Sequence, residues 1–358
     1  MAIAPNGHAQ SDTYKEILSQ GDVWQSVLQE LKLSAFSEQM SRSNNRKPSW
    51  LFVGCGTSFY LADGAATSWT LLTGEPARAV PGSEILLYPA LTRPEAANLH
   101  AVVISRSGRT SEAVRAARLL RKEMHIPTFG ITCAAKSALE AECDSTLALK
   151  TADEMSTVMT RSFTSMLISL QWMAARRAGN AEFCNSLEIM AAQFATRMPS
   201  LTEQMEGFVE RNTFEDYVFL GQGPFHGIAR EAALKVMEMS CSYSQSFHTL
   251  EFRHGPKAIV TPRTALTFFL SQSGLQAEVE VLEEMKELGG VTIAVCNRAD
   301  ENVRRASDLV LELNLPGDEL TVLAPHIVPS QLMGLFAGVG KGLNPDQPKN
   351  LTRVVVLD

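Results

Sequence analysis

The chain has 358 residues, 45% of them hydrophobic and 20% charged, with a formal net charge of −7 and a pI of about 5.6. That length and balance fit about two soluble domains with large cores, and an acidic chain without a dense Lys/Arg cluster argues against a nucleic-acid face. No apolar stretch is long enough to span a bilayer, residues 1–10 lack the apolar core of a secretory signal, and the scattered cysteines form no C-x-x-C pair, so a cytoplasmic protein is expected.

Along the chain, a polar leader is followed by two short predicted helices within residues 11–40 and a basic loop at 41–47. Buried strands are predicted at 50–53, 101–104, 128–132 and 146–149, with helices at 58–72, 110–124 and 136–142 between them. Long helices at 155–177 and 181–209 read as a connector. The pattern then restarts with a strand at 217–220, a helix at 225–239, a strand at 265–270, a helix at 276–288 and strands at 291–295 and 308–313. A last helix, 324–340, precedes a tail. Short apolar strands alternating with helices predict parallel sheets covered on both faces.

The restart is a duplication. Phe52-Val53-Gly54-Cys55-Gly56-Thr57-Ser58 is echoed by Phe219-Leu220-Gly221-Gln222-Gly223-Pro224-Phe225. Val103-Ile104-Ser105-Arg106-Ser107-Gly108 is echoed at nearly the same offset by Phe269-Leu270-Ser271-Gln272-Ser273-Gly274. Gly54-Cys55-Gly56-Thr57-Ser58 lies between a strand and a helix, where glycines admit a ligand close to the backbone and the helix start favours an anion. On its own it is equally an ordinary strand–helix turn. The dinucleotide pattern is not completed, because Phe59 occupies the third glycine position, and no G-K-[ST] of a P-loop follows. Ser105, Arg106, Ser107 and Thr110 add hydroxyls and a guanidinium at a second helix start, and the two loops together predict a phosphate monoester site formed by Cys55, Gly56, Thr57, Ser58, Ser105, Arg106, Ser107 and Thr110. Arg109 reads as a surface charge. The echo at 221–225 has lost its hydroxyls and reads as structural or sugar-facing.

With Arg230-Glu231-Ala232-Ala233-Leu234-Lys235-Val236-Met237-Glu238, Arg253-His254-Gly255-Pro256 and Asp346-Gln347-Pro348-Lys349-Asn350-Leu351, these loops resemble the double sugar-isomerase (SIS) proteins. Those proteins include the isomerase half of glucosamine-6-phosphate synthase, aminosugar-6-phosphate deaminases and tagatose-6-phosphate ketose/aldose isomerases. The resemblance runs from about Trp50 to the C-terminus. It implies an α/β fold of two tandem flavodoxin-like αβα domains, each with a mostly parallel sheet, joined by long helices. The expected division is an N-terminal segment 1–45, domains 46–180 and 213–342, a connector 181–212 and a tail 343–358 closing the active site.

The resemblance assigns proton transfer to Glu238 and ring opening to His254 supplied across a homodimer interface; Lys235, three residues before Glu238 and on the same helix face, is expected to stabilise a developing enediolate oxygen by its charge. The residues also allow a plainer account, since Glu231, Lys235 and Glu238 have the spacing of a solvated helix face with an i,i+4 ion pair. Glu251-x-x-His254 lacks further ligands at metal spacing, so neither a metal nor another cofactor is expected. Two departures matter. Arg353 stands where the synthase carries a lysine that opens the sugar as an imine, which a guanidinium cannot form. Residue 2 is alanine, so the synthase's N-terminal cysteine nucleophile is not expected here.

Three functions compete on these residues. The first is a deaminating aldose–ketose isomerase that releases ammonia from an aminosugar 6-phosphate, to which Thr160-Arg161-Ser162-Phe163-Thr164-Ser165 adds a deaminase-like stretch. The second is a plain phosphosugar isomerase of the tagatose-6-phosphate type. The third, a non-catalytic phosphosugar sensor, leaves Glu238 and His254 without work.

Overall fold

Short apolar runs such as Leu51-Phe52-Val53 and Leu266-Thr267-Phe268-Phe269 suit strands covered on both faces, and the computed structural model places them inside two parallel sheets. It describes residues 7–34, 48–92 and 98–357. The chain divides into two compact units, each drawn from separated stretches. The first-sheet unit comprises Asp22–Glu154, Arg161–Glu188 and Thr352–Asp358; the second-sheet unit comprises Met1–Gly21, Met155–Thr160 and Ile189–Leu351.

Helices α1 (Asp12–Leu18) and α2 (Gln20–Leu33) open the described chain. The expected basic loop at 41–47 and the end of the helical segment before it lie outside the described residues. The first sheet then forms from β1 (Ser49–Gly54), α3 (Thr57–Thr73), β2 (Ala77–Pro81), α4 (Gly82–Leu87), β3 (Leu99–Ile104), α5 (Ser111–Arg118), β4 (Thr128–Thr132), α6 (Ala138–Glu142) and β5 (Ser145–Ala148). Its order is β2-β1-β3-β4-β5, all parallel. Leu51, Val53, Ala101 and Val103 bury one face against Ala113, Ala116 and Leu120. On the other face Trp50 packs on Trp69 with ring centroids 4.5 Å apart, and its Nε1 donates to Glu75.

Helices α7 (Arg161–Arg177) and α8 (Ala181–Arg211) follow. The second sheet forms from β6 (Asp216–Gly221), α9 (Pro224–Ser240), β7 (Tyr243–Phe247), β8 (Thr264–Phe269), α10 (Leu275–Glu287), β9 (Val291–Cys296), α11 (Glu301–Ala306) and β10 (Leu309–Glu312), and α12 (Val328–Gly340) packs on α9. Its order, β10-β9-β8-β6-β7, repeats the first sheet read from the opposite edge. Both are the flavodoxin-like arrangement. Val218, Leu220, Leu266 and Phe268 build its core with Val281, Leu282 and Met285.

The structure departs from the predicted elements at particular places. The edge strands β2 and β7 were not expected, because Ala-Arg-Ala-Val-Pro and Tyr-Ser-Gln-Ser-Phe lack a continuous apolar run; β2 is only half-buried throughout. The helix expected from 155 begins at Arg161, since Ser156 and the N–H of Met155 turn instead to the Glu16 carboxylate. The helix expected at 110–124 gives way after Arg118 to a wider π turn, Leu119–Glu123. Among the described residues no helix is long and apolar enough to cross a membrane.

Candidate functional site

In the first-sheet unit, the two hydroxyl-rich loops leave the carboxyl ends of neighbouring strands, β1 and β3. The chain runs from β1 to β2 on one side and to β3 on the other, so the loops flank the crevice where doubly wound sheets bind ligands. Gly54 is required there. A Cβ on it would lie 2.3 Å from the Ser58 carbonyl group, because α3 turns back tightly over the strand end. Gly56, at φ 55° and ψ −127°, then starts α3, with Thr57 and Ser58 buried in its first turn. Gly223 has the same two angles ahead of α9, so the duplication extends to backbone geometry.

The second loop is braced from within. The Ser105 hydroxyl donates to Thr110 Oγ1 at 3.3 Å, the Ser107 hydroxyl accepts from the Arg109 N–H at 3.1 Å, and Thr132 Oγ1 donates to the Arg106 carbonyl at 3.0 Å. Cys55 keeps its proton, since burial pushes its thiol up to about 11, reinforced by the nearby Glu112 charge. Arg109 is exposed, as expected of a surface charge.

Arg106 is a difference from the sequence reading. Its guanidinium is buried beside Glu154, 3.4 Å away, and donates to the Arg353 carbonyl at 3.2 Å. Glu154 also accepts from the Ser162 hydroxyl. Arg353 reaches back to Asp153 at 2.9 Å and to the Glu154 carbonyl. The tail continues along the start of α5, where the Val355 carbonyl accepts from the Ser111 N–H at 3.2 Å and the Leu357 N–H donates to the Ser111 hydroxyl at 2.9 Å. Arg106, Glu154, Ser162 and Arg353 thus form one polar scaffold behind the serine loop and beneath the tail.

In the second-sheet unit, α9 carries Glu231, Lys235 and Glu238 on one face. Lys235 is fully buried, with its Nζ 3.2 Å from Glu231 Oε1 and 2.5 Å from Glu238 Oε2. Burial alone would push its pKa down, but the two carboxylates outweigh that and hold it above the ordinary lysine value. Glu231 is fully buried too, while the Glu238 side chain keeps 18% exposure. The ammonium therefore orients Glu238 and faces no solvent. Small residues on α12 permit this burial: a Cβ at Gly338 would lie 2.2 Å from the Met239 carbonyl of α9.

His254 stands exposed on the turn after a short 3-10 helix, its N–H bonded to the Glu251 carbonyl at 3.0 Å. Arg253 and Lys257, on either side, both bind Glu284 of α10 and hold the turn in place. The Asp346 carboxylate accepts from the Asp12 and Thr13 N–H groups, which makes it a cap for α1.

The SIS domain family matches residues 45–176 and 216–334, one segment for each sheet. The chain belongs to the SIS domain family. Among SIS relatives it is 26% identical to the glutamine–fructose-6-phosphate aminotransferase [isomerizing] of Vibrio cholerae over 86% of this chain and 51% of that protein. The chain thus spans about half the length of the curated relatives it matches. The structure is similar to glucosamine-6-phosphate deaminase from Thermotoga maritima (27% identity, TM-score 0.77, covering 97% of this chain and 100% of that one). It is also similar to tagatose-6-phosphate ketose/aldose isomerase from Escherichia coli (25% identity, TM-score 0.83, covering 98% of each chain).

Within this SIS fold, two groups escaped the sequence reading. Glu231 carried the signature of a solvated pair, and only the flanking Ala232-Ala233 hinted at burial. Glu154 had no motif and Ser162 figured only in the deaminase-like stretch 160–165, because their partner Arg106 is distant in sequence.

Proposed function

We propose that this SIS chain is a phosphosugar isomerase acting on a hexose or aminohexose 6-phosphate, and that its reaction is deaminating. The observation that carries the reading is the buried Glu231–Lys235–Glu238 array, which presents one partly exposed carboxylate backed by a locked cation. Such a carboxylate is suited to moving a proton between adjacent carbons.

Phosphate recognition falls to Gly56, Thr57, Ser58, Ser105, Ser107 and Thr110, with Cys55 contributing a neutral thiol and its backbone. Arg106 acts through the loop it braces. After the sugar ring opens, a task we assign to His254, Glu238 takes the proton from C2 of the aminoaldehyde and leaves an enaminol. Returning that proton to C1 gives a 2-imine, and water then replaces nitrogen, releasing ammonia and the ketose phosphate. With a hydroxyl at C2, the same transfer passes through an enediol and ends as plain isomerisation. Lys235 is a positioning residue that orients Glu238. His254, exposed on a braced turn, is assigned to the partner copy of a homodimer, and the tail 343–358 to closure of the site.

The likeness to the Thermotoga deaminase over nearly the whole chain supports the deaminating reading. The likeness to the E. coli isomerase supports the non-deaminating one. Incubation with glucosamine 6-phosphate and galactosamine 6-phosphate separates them: ammonia together with ketose phosphate from wild type, absent in Glu238→Gln, is the expected result. Ketose formation from a neutral aldose 6-phosphate with no ammonia from either aminosugar would replace deamination by plain isomerisation.

A further inference from the structure

The second sheet has its own switch-point crevice, and its chemistry differs from the first. β6 leads to β7 on one side and to β8 on the other, and beyond the strand ends lies a cavity of about 480 Å³ bordered by Phe225, Ser271, Gln272, Cys296, Glu319 and His326. That volume lies in the range of small-molecule pockets.

The loop that corresponds to the hydroxyl-rich loop after β3 is already filled by an internal anion. The Glu319 carboxylate accepts from the Gln272 N–H at 2.8 Å, the Ser273 N–H at 3.0 Å and the Ser273 hydroxyl at 2.6 Å. Beneath it, the buried Glu278 carboxyl accepts from the Ser271 N–H at 2.7 Å and the Ser271 hydroxyl at 3.0 Å. Two carboxyl groups at one loop leave no place for a phosphate dianion.

Opposite this loop stands His326, 1% exposed, its ring edge-to-face with Phe225 at 4.8 Å. Its Nδ1 lies 2.7 Å from the Val322 carbonyl. A carbonyl only accepts, so Nδ1 carries the ring proton and Nε2 presents a lone pair. Nε2 is buried and, among the described residues, has no hydrogen-bond partner. Burial also pushes the His326 pKa down to about 4, which keeps the ring neutral. A buried acceptor left unmet calls for a ligand that brings a donor.

We propose that this crevice is a second, separate binding site for an uncharged, hydroxyl-rich small molecule, a free hexose or a polyol of similar size. One ligand hydroxyl donates to His326 Nε2, others meet Glu319 and the Ser271 loop, and the half-buried apolar wall at Leu275 and Pro316 takes the carbon face. Phosphate esters are excluded by Glu319. The inference does not depend on the reaction proposed above, because none of its residues takes part in that chemistry.

Saturation-transfer NMR on the intact protein with D-glucose, D-galactose and D-mannose tests it. At least one hexose binds wild type and Glu238→Gln alike, and His326→Phe weakens that binding by about tenfold, the worth of one buried hydrogen bond. No transfer from any of the three hexoses, or equal affinity in His326→Phe, overturns the site. Loss in Glu238→Gln would move the sugar to the reaction centre and equally overturn it. Should His326→Phe fail to fold, the half-buried Glu319→Gln decides alone: weaker hexose binding and newly gained binding of inorganic phosphate are expected, and no change in either refutes the proposal.

Discussion

Replacing Lys235 by Met removes the ammonium from between two carboxylates and tests the central claim about α9. Glu231 is fully buried, and Glu238 is mostly so. Without Lys235 the pair must either keep charge in a dry helix interface or take up a proton. Breaking a buried ion pair from one side costs about 3–5 kcal/mol. Lys235→Met should lose stability of that order at neutral pH, read by urea unfolding. Glu231→Gln with Lys235→Met should recover much of the loss, since one stranded charge is then removed.

The wild-type pH dependence is alkaline. The Lys235 pKa is held above 10.5 in the folded protein. Its contribution is therefore whole at neutral pH and fades only as pH climbs through that raised value. Activity adds a second readout, because a Glu238 deprived of its partner loses its orientation, so kcat should fall while KM is largely kept. A Lys235→Met protein within about 1 kcal/mol of wild type, with an unchanged kcat, would refute the reasoning, since such a value belongs to a solvated pair.

Three further outcomes are expected. Gly54→Ala forces its new methyl against the Ser58 backbone, and Gly221→Ala does the same against Phe225; each should cost about 1–3 kcal/mol in thermal unfolding. Only Gly54→Ala should abolish stabilisation by phosphate, and an undiminished phosphate shift would disqualify that loop. Dissociating and remixing Glu238→Gln with His254→Ala should restore roughly a quarter of wild-type activity if each site draws on both copies of a twofold dimer; a mixture as dead as its parents would place His254 elsewhere. Burial raises the Glu278 pKa to about 7 from 4.5, so wild-type stability should fall by about 3 kcal/mol from this group as pH rises across that window, and Glu278→Gln should lose the slope. Parallel pH–stability curves for the two proteins would mean that Glu278 titrates normally.

The sequence by itself determined the central strands, the two glycine-started helices and the repeat. These rest on local physics: continuous apolar runs need cover on both faces, and the Gly54 and Gly221 turns need a residue without a side chain. It also placed Glu238 and Lys235 one helical turn apart. The edge strands β2 and β7 were illegible because their half-exposed residues carry little apolar signal, and pairing with β1 and β6 makes them strands. Only the tertiary structure decided that Lys235 and Glu231 are buried, since helical spacing is the same on a wet face and a dry one. It alone brought Arg353 to Asp153, and set Glu319 in the loop that its duplicate leaves to hydroxyls and arginine. Charges find partners by proximity in space, and these partners are far apart along the chain.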